Sequence, residues 1–515
     1  MDFQLDRPEG YKGVADHYLP DSIRDLKHVL IKAQDSFSYK ALHLSKRNLG
    51  ELASVLVAFA EDVHNDIGIW KAVEAYYFEY FGIRLPFIPQ SNETAEPRDL
   101  NKLRICHLLW VLYPEIKPQL ILSPTHKGLL QLAAVISDFL EDRFAKIPRG
   151  SGIKTFLAQP NTFGWDVKKK LIWLGRHSYL FRHCFQNYLK DNGGKAVIPV
   201  IDDFICQETT VWSGLGVIDI LASVLDITQE QRSTLRRWYE RHAALYKIVK
   251  TEKEFTEAVN LINDKPYTIR VGEGIKPFET QQVVFGSLVP WNDEWYWSGE
   301  QKLYKISDET LPELKNTFLQ KSPRVAYRYC EQLAEKARER IRSYYNDFVK
   351  YHGNDFIIYP DGLSLAADTQ KEYRLLYESK PKEAVSEVMK KHNLQNPWAR
   401  ISFPPQIMNA KDGIGVYFNE SEGQELLAGF NDVVSGFRKK GINLTEDEMD
   451  AVRDFMCSDA ISPQFVRKLV NEYGDASIAA TFLIPGNYAA YYLEYLFRRH
   501  KGHFYKNRYP CISFV

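Results

Sequence analysis

At 515 residues the chain is too long for one ordinary hydrophobic core, and about three domains of roughly 100 to 200 residues are expected. Apolar residues make up 45% and charged residues 26%, with 66 basic against 66 acidic side chains. That balance excludes a disordered chain and a uniformly basic nucleic-acid coat, so any grip on phosphate or on a membrane surface must come from a local patch.

The opening MDFQLDRPEG lacks a basic region followed by an apolar run, so no signal peptide is read there. Apolar stretches such as LASVLVAFA, residues 52–60, fall short of the roughly 20 residues a membrane span needs. A soluble, cytoplasmic protein without membrane association is expected. Residues 48–82 read as helix, with Leu52, Val55, Leu56 and Phe59 on one face and Trp70, Val73, Tyr77 and Phe81 continuing the pattern. Gly68 either sits inside one long helix or separates two. Helices over 100–114, closed by Pro114, and over 126–148 complete a helical domain spanning 1–150.

Three glycines and two prolines in 148–166 mark a boundary. A helical stretch over 168–191, an Asn-Gly-Gly stop, an apolar run AVIPVIDDFI and a helix opened by a capping box at Thr228 and Gln231 make a second helical region, 151–262. The period then changes. PYTIRV, QQVVFGSLVPW, EWYWSG and KLYKI are β-branched and aromatic, and Asn292-Asp293 suits a tight hairpin turn. A small β-rich module is therefore placed at 263–310, its strands at about 266–306.

Ser322-Pro323 reads as the start of a helix running to about Tyr351 and ended by Gly353. Short strands are expected at 356–362, 401–405 and 413–418, and the rest is helical: Thr445 and Glu448 form a capping box, Ser462-Pro463 opens a helix and Gly474 closes it. Residues 311–515 thus form a mixed, mainly helical domain, and the fold class is α+β.

In WNDEWYWSGEQ, residues 291–301, Trp291, Trp295, Tyr296 and Trp297 fall within seven positions. Strand alternation puts Trp295 and Trp297 on one face and Tyr296 and Ser298 on the other. Such a face packs as the module's core or onto neighbouring helices. Alternatively, rings from it, with Tyr296 and Glu300, line a groove for a base, a peptide or a sugar. Stacking on an aromatic ring is worth roughly 1 to 3 kcal/mol per base. A second candidate surface lies at the C-terminus. After Glu494 no acidic residue remains, while Arg498, Arg499, Lys501, Lys506 and Arg508 are interleaved with His500, His503, Phe504, Tyr505 and Tyr509. This is either a phosphate grip or a solvated basic helix end favourable to the helix dipole.

Catalytic patterns are sparse. Pro360-Asp361 followed by Glu378-Ser379-Lys380 resembles the metal-binding motif of the PD-(D/E)xK nuclease fold. The resemblance implies that Asp361 and Glu378 hold Mg²⁺ while Lys380 helps activate water. It requires a strand at 373–380, where the sequence reads more readily as helix. Glu61 and His64 share an ExxH spacing, but no second such pair exists for a di-iron bundle site. His177, His183, Cys184, Asp202, Asp203 and Cys206 lack the tight paired spacing of a zinc site. Trp212-Ser213-Gly214-Leu215-Gly216 lacks the register of a nucleophile elbow, and no Walker-type loop is present.

The favoured function is a non-catalytic binding protein that engages nucleic acid or a nucleoprotein partner through Trp295, Tyr296, Trp297 and the basic C-terminus, with no cofactor. The alternatives are the Mg²⁺-dependent nuclease and a purely structural protein-interaction scaffold. The scaffold reading requires inaccessible aromatics and a basic segment paired with acids elsewhere.

Overall fold

The computed structural model describes residues 5–33, 42, 44–88, 100–117, 121–239, 242–261, 264–306, 309–313, 331–391, 403–485, 488 and 491–506. The architecture is α+β, helices accompanied by two small sheets. The chain divides into two compact units, Met1–Ser307 with Leu483–His503, and Asp308–Phe482 with Phe504–Val515. The sequence boundaries at 150 and 262 both fall inside the first unit.

The first unit opens with α1 (Leu19–Ala33), α2 (Lys46–Asn65), α3 (Ile69–Phe81), α4 (Lys102–Ile116) and α5 (Lys127–Phe144). Gly68 marks a break. Asp66 is left-handed at φ 54° and Gly68 sits at φ 104°, ending α2. The buried Asp62 carboxylate then accepts from the backbone N–H of Gly68 at 2.8 Å, Ile69 at 3.1 Å and Trp70 at 2.7 Å, capping α3. Pro114 stands inside the last turn of α4, which runs on to Ile116. The next helices are α6 (Gly152–Leu157), α7 (Gly164–His177), α8 (Arg182–Asp191), α9 (Ile198–Gln207), α10 (Val217–Val224) and α11 (Gln229–Arg236). The expected single stretch 168–191 is thus two helices, because the chain turns extended at Ser178.

Five strands follow: β1 (His242–Thr251), β2 (Phe255–Asn260), β3 (Pro266–Arg270), β4 (Val283–Trp291) and β5 (Glu294–Tyr304). They close into a barrel of order β1-β2-β3-β5-β4, with β4 returning to β1. The barrel begins two strands earlier than the sequence pattern placed it. HAALYKIV reads equally as helix because Leu245 and Ile248 lie three apart, yet the barrel takes Ala244, Tyr246 and Ile248 inward at period two. Asn292 and Asp293, at φ 45° and 63°, make the two-residue turn between β4 and β5.

Alternation along β5 follows the expectation. Trp295 and Trp297 face inward, where Trp297 lies 5.5 Å from Tyr246 and Trp295 4.8 Å from Tyr267, ring centre to ring centre. Trp297 lies over Gly286, where an added Cβ would stand 2.7 Å from its ring. Tyr296 and Ser298 face the helices instead. On β4, Trp291 donates from Nε1 to the Asn161 carbonyl at 2.8 Å and meets Trp238 edge-on at 6.2 Å.

The second unit holds α12 (Glu331–His352), β6 (Phe356–Tyr359), α13 (Gly362–Glu378), α14 (Lys382–Lys391), α15 (Pro405–Met408), β7 (Ile414–Asn419) and β8 (Gly423–Ala428). It ends with α16 (Phe430–Arg438), α17 (Glu446–Cys457), α18 (Pro463–Tyr473) and α19 (Ala476–Thr481). The sheet is antiparallel in the order β6-β7-β8. Phe430 and Phe465 stack at 5.5 Å on it, Phe430 pressed against Gly415. Caps at Thr445 with Glu448 and at Ser462, and the stop at Gly474, form where the sequence places them. Of the strand expected at 401–405, residues 401 and 402 lie outside the described residues, and Pro405 begins a short helix. Ser322 and Pro323 lie outside the described residues as well.

Candidate functional site

The barrel has one weak seam. All its strand pairs are antiparallel except β3 with β5, which share a single parallel register pair, Ile269 with Trp295. Beyond that pair the strands part, and a cleft of about 300 Å³ opens between them and the start of α7. Its walls are Trp165, Tyr296, Trp297, Phe278, Arg270 and Lys168. The segment 271–282 folds over one end. Phe278 meets Trp297 edge-on at 5.7 Å, its carbonyl accepts from Thr251 Oγ1 at 2.7 Å, and the Gln281 N–H donates to Ile248 at 2.8 Å. On the opposite side Trp165 stacks on Phe163 at 4.7 Å and meets Tyr296 edge-on at 5.3 Å. Gly164 lets this happen, since an added Cβ would stand 2.7 Å from the Tyr296 ring.

The polar groups of the cleft are almost all engaged. The Lys168 ammonium pairs with buried Asp202 and donates to Ser298 Oγ at 2.8 Å and Cys206 Sγ at 3.3 Å. Ser298 in turn donates to Asp202 at 3.0 Å. A buried charge needs such compensation, so this floor is locally neutral. Arg270 lies between the rings of Phe255 at 4.7 Å and Phe163 at 5.4 Å, and pairs with Glu294 at 3.1 Å. The Tyr296 hydroxyl donates to Glu294 at 2.5 Å, and burial, with that carboxylate, pushes its pKa up. Thr256 is the exception. It is 1% exposed, lines the cleft, and its Oγ1 has no hydrogen-bond partner. An unmet buried hydroxyl costs about 1 to 3 kcal/mol. Lys276 and Gln301 stand at the rim.

Of the residues the sequence singled out, Tyr296 and Trp297 meet at this cleft, while Trp295 points into the barrel toward Tyr267. Tyr296 is buried against α7. Trp165, Arg270, Phe278 and Thr256 were not singled out. The signal for Trp165 was Phe163-Gly164-Trp165, two aromatics around a glycine in what reads as a boundary loop.

The basic C-terminal residues are not an open face. Arg498 pairs with Glu494 at 2.9 Å and caps the Tyr80 ring at 3.7 Å. Arg499 lies 5.5 Å from the Trp110 ring centre and Lys501 is fully buried. Their helix, Tyr492–His500, is amphipathic and turns these side chains into its own unit, using their aliphatic stems for packing. Lys506 is half-buried, and Arg508 lies outside the described residues.

The nuclease constellation does not assemble. Residues 373–378 are helical, and Asp361 and Glu378 stand at opposite ends of α13, about 25 Å apart for 17 residues. Asp361 caps that helix by accepting from the Ser364 N–H at 2.7 Å. Glu378 pairs with Arg374 at 2.8 Å, and Lys380 lies 5.9 Å from the Tyr377 ring centre. Glu61 and His64 also diverge. Glu61 accepts from Arg7 at 2.7 Å and Ser151 at 2.6 Å, whereas His64 contacts the Ile147 carbonyl at 3.0 Å. His177 pairs with Asp6 at 2.9 Å, Cys206 faces Lys168, and among the described residues no three His, Cys, Asp or Glu side chains gather as a metal site.

In the second unit the titratable residues concentrate around His352. It lies 3.9 Å from Asp368 and 3.7 Å from Glu372, and Asp368 accepts from Tyr351 at 2.8 Å and Tyr359 at 2.7 Å. Burial and the nearby Asp368 raise the Glu372 pKa to about 7. A second hollow, of about 480 Å³, lies beside Arg338, Arg342, Tyr345, Tyr417 and Gln464, with its arginines paired to Glu335 and Glu420.

A family model described as a protein of unknown function (DUF3843) matches residues 44–194. The chain is similar to that family from α2 to α8. The match takes in Trp165 and Lys168 on the α7 wall of the cleft and stops short of the barrel. No curated protein matches, and no solved structure matches. Among the described residues no helix is long and apolar enough to cross a membrane.

Proposed function

We propose that this chain is a non-catalytic binding protein that engages single-stranded nucleic acid at the barrel cleft. The observation that carries the reading is the juxtaposition of the half-buried rings of Trp165, Trp297 and Phe278 with cationic Arg270 and Lys276 around one opening. Every base has a face that stacks on an aromatic ring, so such walls take unpaired bases without demanding a sequence. At about 300 Å³ the cleft sits at the small end of ligand sites, suited to one ring system rather than a chain of residues. The five-stranded order β1-β2-β3-β5-β4, with β3 parallel to β5, is that of OB-type barrels, many of which bind oligonucleotides. Fold analogy alone does not give function, so the weight rests on the cleft.

A second reading, a protein-interaction scaffold, draws support from the burial of Tyr296 and Lys501 and the packing of Arg498 on the Tyr80 ring. One experiment separates the two. The full chain is titrated with labelled single- and double-stranded DNA and RNA across a salt series, following tryptophan quenching. The nucleic-acid reading expects salt-dependent binding of single strands, weakened about tenfold in Trp165→Ala. Absence of binding at low salt overturns it and leaves the scaffold.

A further inference from the structure

Thr251 and Thr256 stand opposite each other on β1 and β2, and only one of their hydroxyls is met. Thr251 Oγ1 donates to the Phe278 carbonyl at 2.7 Å. Thr256 Oγ1 has no partner, although the residue is 1% exposed. Its neighbour on β3 is the fully buried Ile269, which offers no polar side chain. Burial alternates along β2, so Thr256 lies on the barrel's inner side with Ala258 and Asn260. The same cleft is also lined by Val289 and Tyr296, a pair on the helix-facing side of β4 and β5. It therefore passes through the seam from the α7 side toward the barrel interior, and Thr256 stands at its inner end.

The charge along this path orients whatever fills it. At the floor Lys168 is neutralised by Asp202. Arg270 is shared by Glu294 at 3.1 Å and Glu254 at 3.6 Å. A phosphate carried inside would be a buried charge whose cations are already paired. A neutral planar ring meets no such cost, and Trp165, Trp297 and Phe278 give it faces to pack on. At the mouth Lys276 is exposed, and it meets Glu279 at 3.1 Å as a pair of exposed side chains, so a phosphate can replace that carboxylate at little cost. We infer that a single unpaired base enters the seam edge first, its polar edge on the Thr256 hydroxyl and its phosphate outside at Lys276. The inference rests on the nucleic-acid reading of the cleft and adds a specificity-determining residue to it. A hydroxyl both donates and accepts, so Thr256 does not choose among the bases. It favours a ring with a hydrogen-bonding edge over a ring of the same shape without one, because the polar edge gains a bond that the free protein lacks.

The test uses the full chain and the tryptophan quenching titration at low salt. The probes are single strands with an abasic backbone carrying one base, so that no second base competes for the cleft. One pair compares thymine with its nonpolar isostere difluorotoluene, and another compares adenine with methylbenzimidazole. A strand with every base present serves as the control. In wild type the natural base of at least one pair should bind about tenfold more tightly than its isostere. Thr256→Ser should keep that preference. Thr256→Val should lose or reverse it, because the polar edge then gives up water without a bond in return. Lys276→Gln should leave the preference intact while lowering the salt slope by about one. If the control binds but wild type takes base and isostere alike, or if Thr256→Val keeps the preference, the inference is overturned and the nucleic-acid reading stands. If the control does not bind either, both fall together.

Discussion

The ring of Tyr296 rests on the bare backbone of Gly164, with 2.7 Å between its carbons and the place where a Cβ would stand. This contact joins the barrel to the start of α7 and sets the width of the cleft. Gly164→Ala must therefore push Tyr296 or α7 aside. The expected result is a loss of about 1 to 3 kcal/mol in urea unfolding, the usual size for overpacking a filled interior. Tyr296→Leu in the same background should recover part of that loss. Equal stability of Gly164→Ala and wild type would show that the two elements slide freely.

Thr256 separates stability from recognition. Its hydroxyl is buried beside the cleft without a partner, so Thr256→Val removes an unmet group while keeping the shape. Folding stability should hold or rise by about 1 kcal/mol. If the hydroxyl meets a ligand, oligonucleotide affinity in the quenching titration falls about tenfold in the same variant. Both quantities falling together would mean that the hydroxyl serves the fold.

How much of this was legible follows from which forces act locally. The turn at Asn292-Asp293, the caps at Thr228, Thr445 and Ser462, and the alternation of Trp295, Tyr296 and Trp297 depend on residues a few positions apart, and each could be read. β1 could not, because Leu245 and Ile248 satisfy helix and strand spacing alike and only pairing with β4 decides between them. The cleft was half legible. Trp297 stood out as composition, but Trp165 reaches it from 132 positions away, and nothing local announces that meeting. The basic C-terminus misled for the same reason. Charge counts as a surface signal until a tertiary partner such as Tyr80 or Trp110 claims it.

Asp361 discriminates a cap from a metal ligand. As the N-cap of α13, its replacement in Asp361→Ala should cost about 1 kcal/mol of stability in the second unit, with Asp361→Asn close to neutral. Glu378→Ala, at an exposed helix end, should change stability by less than about 0.5 kcal/mol. A strand-cleaving activity lost in both variants would contradict the geometry of α13.

Lys168 and Asp202 form the buried pair beneath the cleft, with Ser298 between them. Removing one charge strands the other. Lys168→Met should destabilise the protein by about 3 to 5 kcal/mol, whereas the double replacement Lys168→Met with Asp202→Leu should be much milder. A double-mutant cycle in guanidinium measures the difference. Purely additive losses would mean that the pair contributes only packing.

Glu61 gives the protein a pH dependence opposite to that of an ordinary salt-bridged acid. Its carboxyl is fully buried, and burial raises its pKa from 4.5 to about 7 against the opposing pull of Arg7 and Ser151 and with a further push from Asp16. Below about 4.5 the group holds its proton whether the chain is folded or unfolded, and it contributes no slope. Between 4.5 and about 7 the unfolded chain releases the proton while the folded chain keeps it, so stability falls as pH rises through that window. Above about 7 the loss is complete. The gap corresponds to about 3 kcal/mol. Glu61→Gln keeps the hydrogen-bonding shape and cannot ionise, so its stability relative to wild type should climb by about that amount between pH 4.5 and 8 in urea melts. A constant difference between the two proteins across this range would show that Glu61 is ionised throughout, with Arg7 fully compensating its burial.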